Sequence, residues 1–203
     1  MKYEQLNDLL ENGNGYIRRG DSLKLGISGQ YFSDYVNDKS LVRVARGMYK
    51  TKDTWYDEHY IISEMNEKIC FSHETALYLN ELMERVPKKI MVSAPRGYNS
   101  THLRNKNIKV FHLEQDKFLL GQTILKTSYG NDVKTYNKER AICDLIRYKE
   151  NTDIEIFQTA MKLYFNRSDK NIHQLMKYAK VFGIEDLMRN YLEVLLWLII
   201  LIN

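Results

Sequence analysis

Along the first fifty residues the apolar positions change period several times, and each change marks an element. Tyr3, Leu6, Leu9 and Leu10 recur at helical spacing before "NGNG" interrupts the run. The following "GYI" reads as a short strand. In "RRGDSLKLGI", Asp21 is placed to cap a short helix whose Leu23 and Leu25 turn inward and whose end is Gly26. A second helix is expected from Ser28, its N-cap, through Asn37, with Phe32, Tyr35 and Val36 on one face. That leaves Gln30, Asp34 and Asn37 pointing away, with Tyr31 and Ser33 beside them. "LVRVARGMY" then alternates, with Arg43 between strand formers and "ARG" supplying a turn, so it reads as a hairpin. Helix, strand, helix, turn, helix, hairpin is the order that a winged helix-turn-helix needs.

Beyond the hairpin, "YDEHYIISEMNEK" is an amphipathic helix, "ICF" a buried strand, and "SHETALYLNELM" a helix whose start offers Ser72 and Thr75 as a loose capping box. "KKIMVSAP" and "IKVFHL" read as strands around a turn and short helix in "RGYNSTHLRNKN", and "FLLGQTILKTSY" and "DVKTY" as two neighbouring strands joined by "GND". Four helical stretches follow, capped by Asn137, Asp153 and Asn171 and opened by Glu185, with Ala141, Ile142, Leu145 and Ile146 inward in the first. The expected class is α+β: an N-terminal winged helix-turn-helix over residues 1–85, then a mixed α/β C-terminal domain over 86–203 that ends in a helical bundle, the boundary lying near Val86 and Pro87.

Charge sharpens this reading. The 203 residues carry 30 Lys and Arg against 26 Asp and Glu, so a basic surface must come from clustering. From Tyr16 to Lys52 eight basic residues stand against three acidic ones. From Arg85 to Lys109 there are seven basic residues and no acid. Within the second run Lys88, Lys89, Arg96, Arg104 and Lys106 form a candidate auxiliary surface that touches phosphates without reading bases, the other reading being a solvated sheet face.

Other chemistry is thin. Cys70 and Cys143 lie in apolar surroundings, which suits a reduced intracellular protein, and the histidines lack ligand spacing, so neither a metal nor another cofactor is expected. Glu139 and Asp144, five apart on a helix, face different ways, and Arg140 pairs with or caps near Glu139. There is no Gly-rich phosphate loop and no nucleophile elbow, so no catalytic residue is assigned and the chain is not expected to be an enzyme. "MKYEQLNDLLENGNG" lacks a secretory core, and the apolar Leu192–Ile202 stretch is shorter than the ~20 residues of a spanning helix, so a cytoplasmic protein with a packed terminal helix is expected.

Taken together, "GYIRRGDSLKLGISGQYFSDYVNDKSLVRVARGMYK", "ICFSHETALYLNEL", "KKIMVSAP", "VKTYNKERAICDLIRYK" and "LMKYAKVFGIEDLMRNYLEVL" resemble the AbiEi family, antitoxins of type IV toxin–antitoxin (abortive infection, phage resistance) systems. The resemblance runs from about residue 3 to 196, and "WLIILIN", Trp197–Asn203, departs from the family's end. It implies an antitoxin and transcriptional autorepressor that binds inverted repeats in its operon promoter. It further implies that the protein counteracts a nucleotidyltransferase-like toxin without a stable complex.

On that reading the helix from Ser28 to Asn37 enters the major groove, with Gln30 and Asn37 reading adenine edges and Tyr31, Ser33 and Tyr35 touching phosphates or thymine methyls. Arg18, Arg19, Lys39, Arg43, Arg46 and Lys50 hold phosphates, or in the case of Arg46 enter the minor groove. A protein monomeric in solution occupies the inverted repeat as two copies. The alternative is a protein-binding antitoxin that neutralises its toxin by direct contact.

Overall fold

The computed structural model describes residues 1–202, with side chains described up to Val194. Among the described residues it is an α+β protein of eleven α-helices and two sheets, and it separates into two compact units. The first comprises Met1–Met65 with Thr127–Asn131, and the second comprises Asn66–Lys126 with Asp132–Asn203. The division therefore falls at Met65/Asn66 and not near residue 85. The reason lies in Cys70 and Phe71, which pair with Ser93 and Val92 and so belong to the second sheet.

The first unit runs α1 (Lys2–Asn12), β1 (Tyr16–Arg18), α2 (Arg19–Lys24), α3 (Gly29–Asp38), β2 (Val42–Ala45), β3 (Met48–Lys50) and α4 (Glu58–Met65). This is the element order that the apolar pattern predicts. Its antiparallel sheet has the order β1-β3-β2, so the first strand pairs across the hairpin. The core is Leu6, Leu10, Ile17, Ile27, Phe32 and Tyr35, all but Ile27 being helical and strand positions of the sequence pattern.

Two local expectations fail in α2. The helix starts at Arg19, so Asp21 lies in its first turn without capping it. Leu23 and Leu25 are exposed, because a helix of six residues turns Ser22 and the following Ile27 into the core instead. Its end does follow expectation: Gly26, at φ +73°, lets the Ile27 amide donate to the Ser22 carbonyl and its own amide to Leu23, satisfying two terminal carbonyls. A fully buried carboxylate, Asp57, accepts from Thr127 Oγ1 at 2.5 Å, from Asn131 Nδ2 at 2.8 Å and from the Tyr60 amide at 3.1 Å. Such bonding is what a buried carboxylate requires.

The second unit holds β4 (Cys70–Phe71), α5 (His73–Leu79), β5 (Met91–Pro95), α6 (Thr101–Arg104), β6 (Lys109–Leu113), α7 (Gln115–Leu119), β7 (Gln122–Lys126) and β8 (Asp132–Tyr136). They are followed by α8 (Lys138–Arg147), α9 (Ile154–Asn166), α10 (Ile172–Val181) and α11 (Glu185–Ile202). The sheet order is β6-β5-β4-β8-β7, parallel at β5–β6 and β4–β8 and otherwise antiparallel. Asn137, Asp153 and Asn171 cap α8, α9 and α10 through their side chains, as their positions predict. Ser72 makes no capping bond, and Thr75 instead accepts from the Met91 amide at 2.8 Å, so the loose capping box is absent.

The centre of this unit is charged. Arg140 is 0% exposed and pairs through Nε with both Asp144 oxygens at 3.2 Å. Its Nη1 donates to the carbonyls of Lys117 at 2.7 Å and Leu120 at 2.8 Å. The expected link to Glu139 is not formed; one turn of helix brings Arg140 to Asp144, while Glu139 accepts from the Asn171 amide at 3.0 Å and from the Tyr164 hydroxyl. No helix among the described residues is long and apolar enough to cross a membrane. The expectation placed on the side chains of Trp197–Asn203 lies outside the described residues.

Candidate nucleic-acid interface

Helix α3 begins where Ser28 Oγ accepts from the Tyr31 amide at 3.2 Å. Its buried side is Phe32 and Tyr35, with Phe32 edge-on to Tyr49 of β3 and Tyr35 edge-on to Tyr3 of α1. The opposite side is polar and exposed: Gln30, Ser33, Asp34 and Asn37. Gln30 Nε2 donates to Asp34 at 2.9 Å, one helical turn away, and Ser33 Oγ donates back to the Gly29 carbonyl at 2.8 Å. Asn37 makes no side-chain bond among the described residues. An amide–carboxylate bond on an exposed helix face is weak enough to be exchanged for a ligand's hydrogen bond.

Beside α3, Arg19 connects the start of the helix to the hairpin. Its amide donates to the Gly47 carbonyl at 2.8 Å, and its guanidinium lies over Gly29, in the first turn of α3, where a Cβ would collide with it. Gly47 completes the β2–β3 turn at φ +72°, a conformation that a side chain disfavours. Arg46, next to it, is exposed and has no partner among the described residues. Arg43 is exposed with Nε directed to the Ala45 carbonyl at 3.2 Å, at the point where the β2–β3 register shifts. Lys39, at the end of α3, is exposed and sits 5.3 Å from the centroid of the Tyr3 ring.

Three of the sequence-derived contacts are engaged within the first unit. Tyr35 is 2% exposed and its hydroxyl donates to Asn7 at 2.9 Å, so it is a core residue and its phenol is pushed up by burial. Arg18 pairs with Glu64 at 2.7 Å and lies 3.6 Å from Asp21; the strand that buries Tyr16 and Ile17 turns it toward α4. Lys50 donates to the carbonyls of Thr51 at 3.1 Å and Thr54 at 2.6 Å, tying down the chain after β3. Tyr31 is half-buried against the core, and Ser28 is occupied as the cap. Arg19, Gln30, Ser33, Asn37, Lys39, Arg43 and Arg46 remain as solvent-facing groups.

In the second unit the basic run is divided. Lys88 and Lys89 line a cleft together with Lys109, whereas Arg96 pairs with Glu114. Arg104 and Lys106 are exposed on α6 and the turn after it. Among the described residues there is no cluster of three or more His, Cys, Asp or Glu able to hold a metal, and both cysteines are buried with their thiols pushed up by desolvation. His73, which the sequence places as a cap or packing residue at a helix start, is buried, at φ +51° although not glycine, stacked on Phe111 at 3.6 Å and with its pKa lowered by burial to about 4. Its only sequence signal is its place between a buried strand and a helix.

No family model and no curated protein matches the chain. A solved structure that is similar over most of its length is the RV2827C protein from Mycobacterium tuberculosis, at 10% identity and a TM-score of 0.46, covering 95% of this chain and 81% of that one.

Proposed function

We propose that the first unit is a winged helix-turn-helix that binds duplex DNA, and that the protein is an AbiEi-type antitoxin repressing its own operon. The observation that carries the DNA reading is the pairing of an exposed polar face on α3 with cationic side chains at both of its flanks. Arg19 stands at the helix start, Lys39 at its end, and Arg43 and Arg46 on the β2–β3 hairpin. A helix presenting Gln30 and Asn37 suits adenine edges in a major groove, and a hairpin with exposed arginines suits the adjoining backbone or minor groove.

The auxiliary basic surface is not needed by this proposal, since Arg96 is already paired and Lys88 and Lys89 line a cleft. Two copies on an inverted repeat account for a symmetric operator. A mobility shift of the full chain on the inverted repeats of its own promoter, with a scrambled duplex as control, tests the reading. Preference for the promoter by about two orders of magnitude or more supports it. Equal binding to both duplexes refutes it.

A second reading has an observation of its own. The first unit exposes Trp55 at 74% and Tyr129 at 52%, their rings stacked 6.5 Å apart. Exposed aromatic pairs are common anchors for protein partners. On that reading the antitoxin holds its nucleotidyltransferase-like toxin directly, and the two proteins co-purify; on the first reading they do not.

A further inference from the structure

We infer that the second unit binds a nucleoside phosphate in the cleft between α5, the start of β6 and the α8–α9 connection. The cleft has a volume of about 330 Å³. That is the low end of small-molecule sites and far too little for a duplex or a folded segment. Its cations are Arg85, Lys88, Lys89 and Lys109. Arg85 is engaged with Glu155 at 2.9 Å, but Lys88 and Lys89 are exposed and have no ion pair among the described residues.

The remaining lining decides the ligand's class. Met83, Met91, Ile156 and the Tyr148 ring give an apolar wall that an inorganic anion would leave unused. A planar base matches such a wall, and lysines hold phosphate as point charges. Glu74, half-buried in the same lining, is an acceptor suited to sugar hydroxyls.

A second, independent feature lies next to the cleft. Glu74 directly follows the strained His73, whose ring is held face to face with Phe111 and edge-on to Tyr148 at 5.3 Å. Lys109 Nζ in turn donates to the Tyr148 hydroxyl and lies 4.5 Å from that ring's centroid. Left-handed backbone at a residue other than glycine is strained and collects at ligand sites, where it fixes side chains. Here it holds in register the aromatic wall, a cation and the carboxylate.

Calorimetric titration of the full chain with ADP, GDP, CDP and UDP, with pyrophosphate and the four nucleosides as controls, tests this. At least one nucleotide should bind about tenfold or more tighter than pyrophosphate and than its own nucleoside. Lys88→Ala/Lys89→Ala should weaken it by about tenfold or more with an unchanged far-UV spectrum. The inference is overturned if no nucleotide binds below about 1 mM, if pyrophosphate binds as tightly as every nucleotide, or if the double variant retains full affinity. Binding of operator DNA does not enter the readout, because all of these residues lie in the second unit.

Discussion

Replacing Asp144 with alanine isolates the buried charge at the centre of the second unit. The Arg140 side chain is 0% exposed and that of Asp144 1%. The guanidinium is also held between the Tyr136 and Phe182 rings, at 4.1 and 4.2 Å from their centroids. In Asp144→Ala the cation keeps two carbonyl acceptors and its aromatic neighbours but loses its counter-charge, and Nη2 already lacks a partner. Removing one member of a buried pair costs about 3–5 kcal/mol. With a urea slope of about 2–3 kcal/mol per molar, the midpoint of the second unit should fall by about 1–2.5 M. Urea unfolding followed by far-UV circular dichroism reads this, since most of the helix belongs to that unit. The companion Arg140→Met/Asp144→Leu removes both charges and should lie within about 1 kcal/mol of the parent, or above it. A midpoint change below about 0.3 M in Asp144→Ala, or a double variant as unstable as the single one, would refute the reasoning.

His73 supplies a pH prediction. Burial lowers its folded pKa to about 4 against an ordinary 6.5, with Asp144 opposing and Arg147, Arg140 and Lys109 assisting, so protonation favours the unfolded chain. Its contribution is complete above 6.5 and is lost as pH falls toward 4, by at most about 3 kcal/mol. His73→Asn, which tolerates left-handed backbone, should therefore lose less stability than the parent between those values, and parallel urea midpoints across that range would contradict it. Gly121, at φ +79°, would place a Cβ 2.7 Å from Arg140 Cβ, so Gly121→Ala should lower stability by more than about 1 kcal/mol, measured by the same unfolding curves.

The sequence made local elements legible wherever period and capping agreed. Phe32, Tyr35 and Val36 define the packed side of α3 by spacing alone, and the Asn137, Asp153 and Asn171 caps stand where the helices start. Tertiary competition was not legible. Tyr35 sits on the apolar face but carries a polar tip, so spacing cannot say whether its hydroxyl meets solvent or, as here, Asn7. Arg18 and Arg19 are adjacent and identical in type, yet strand geometry sends one to Glu64 and the other to the start of α3. The stacking of His73 on Phe111 and of Arg140 on Phe182 joins residues some forty positions apart, which no local pattern can announce.

The interface account stands on one comparison: the salt dependence of promoter binding for the parent, Arg43→Ala/Arg46→Ala and Arg18→Ala. Each lost phosphate contact flattens the slope of log K against log salt by about 0.9. The hairpin variant should therefore lose about 1.8 units of slope, while Arg18→Ala, whose arginine is held by Glu64, should keep the parental slope. An unchanged slope in the hairpin variant, or an equal loss in both, would contradict the placement of the hairpin on DNA.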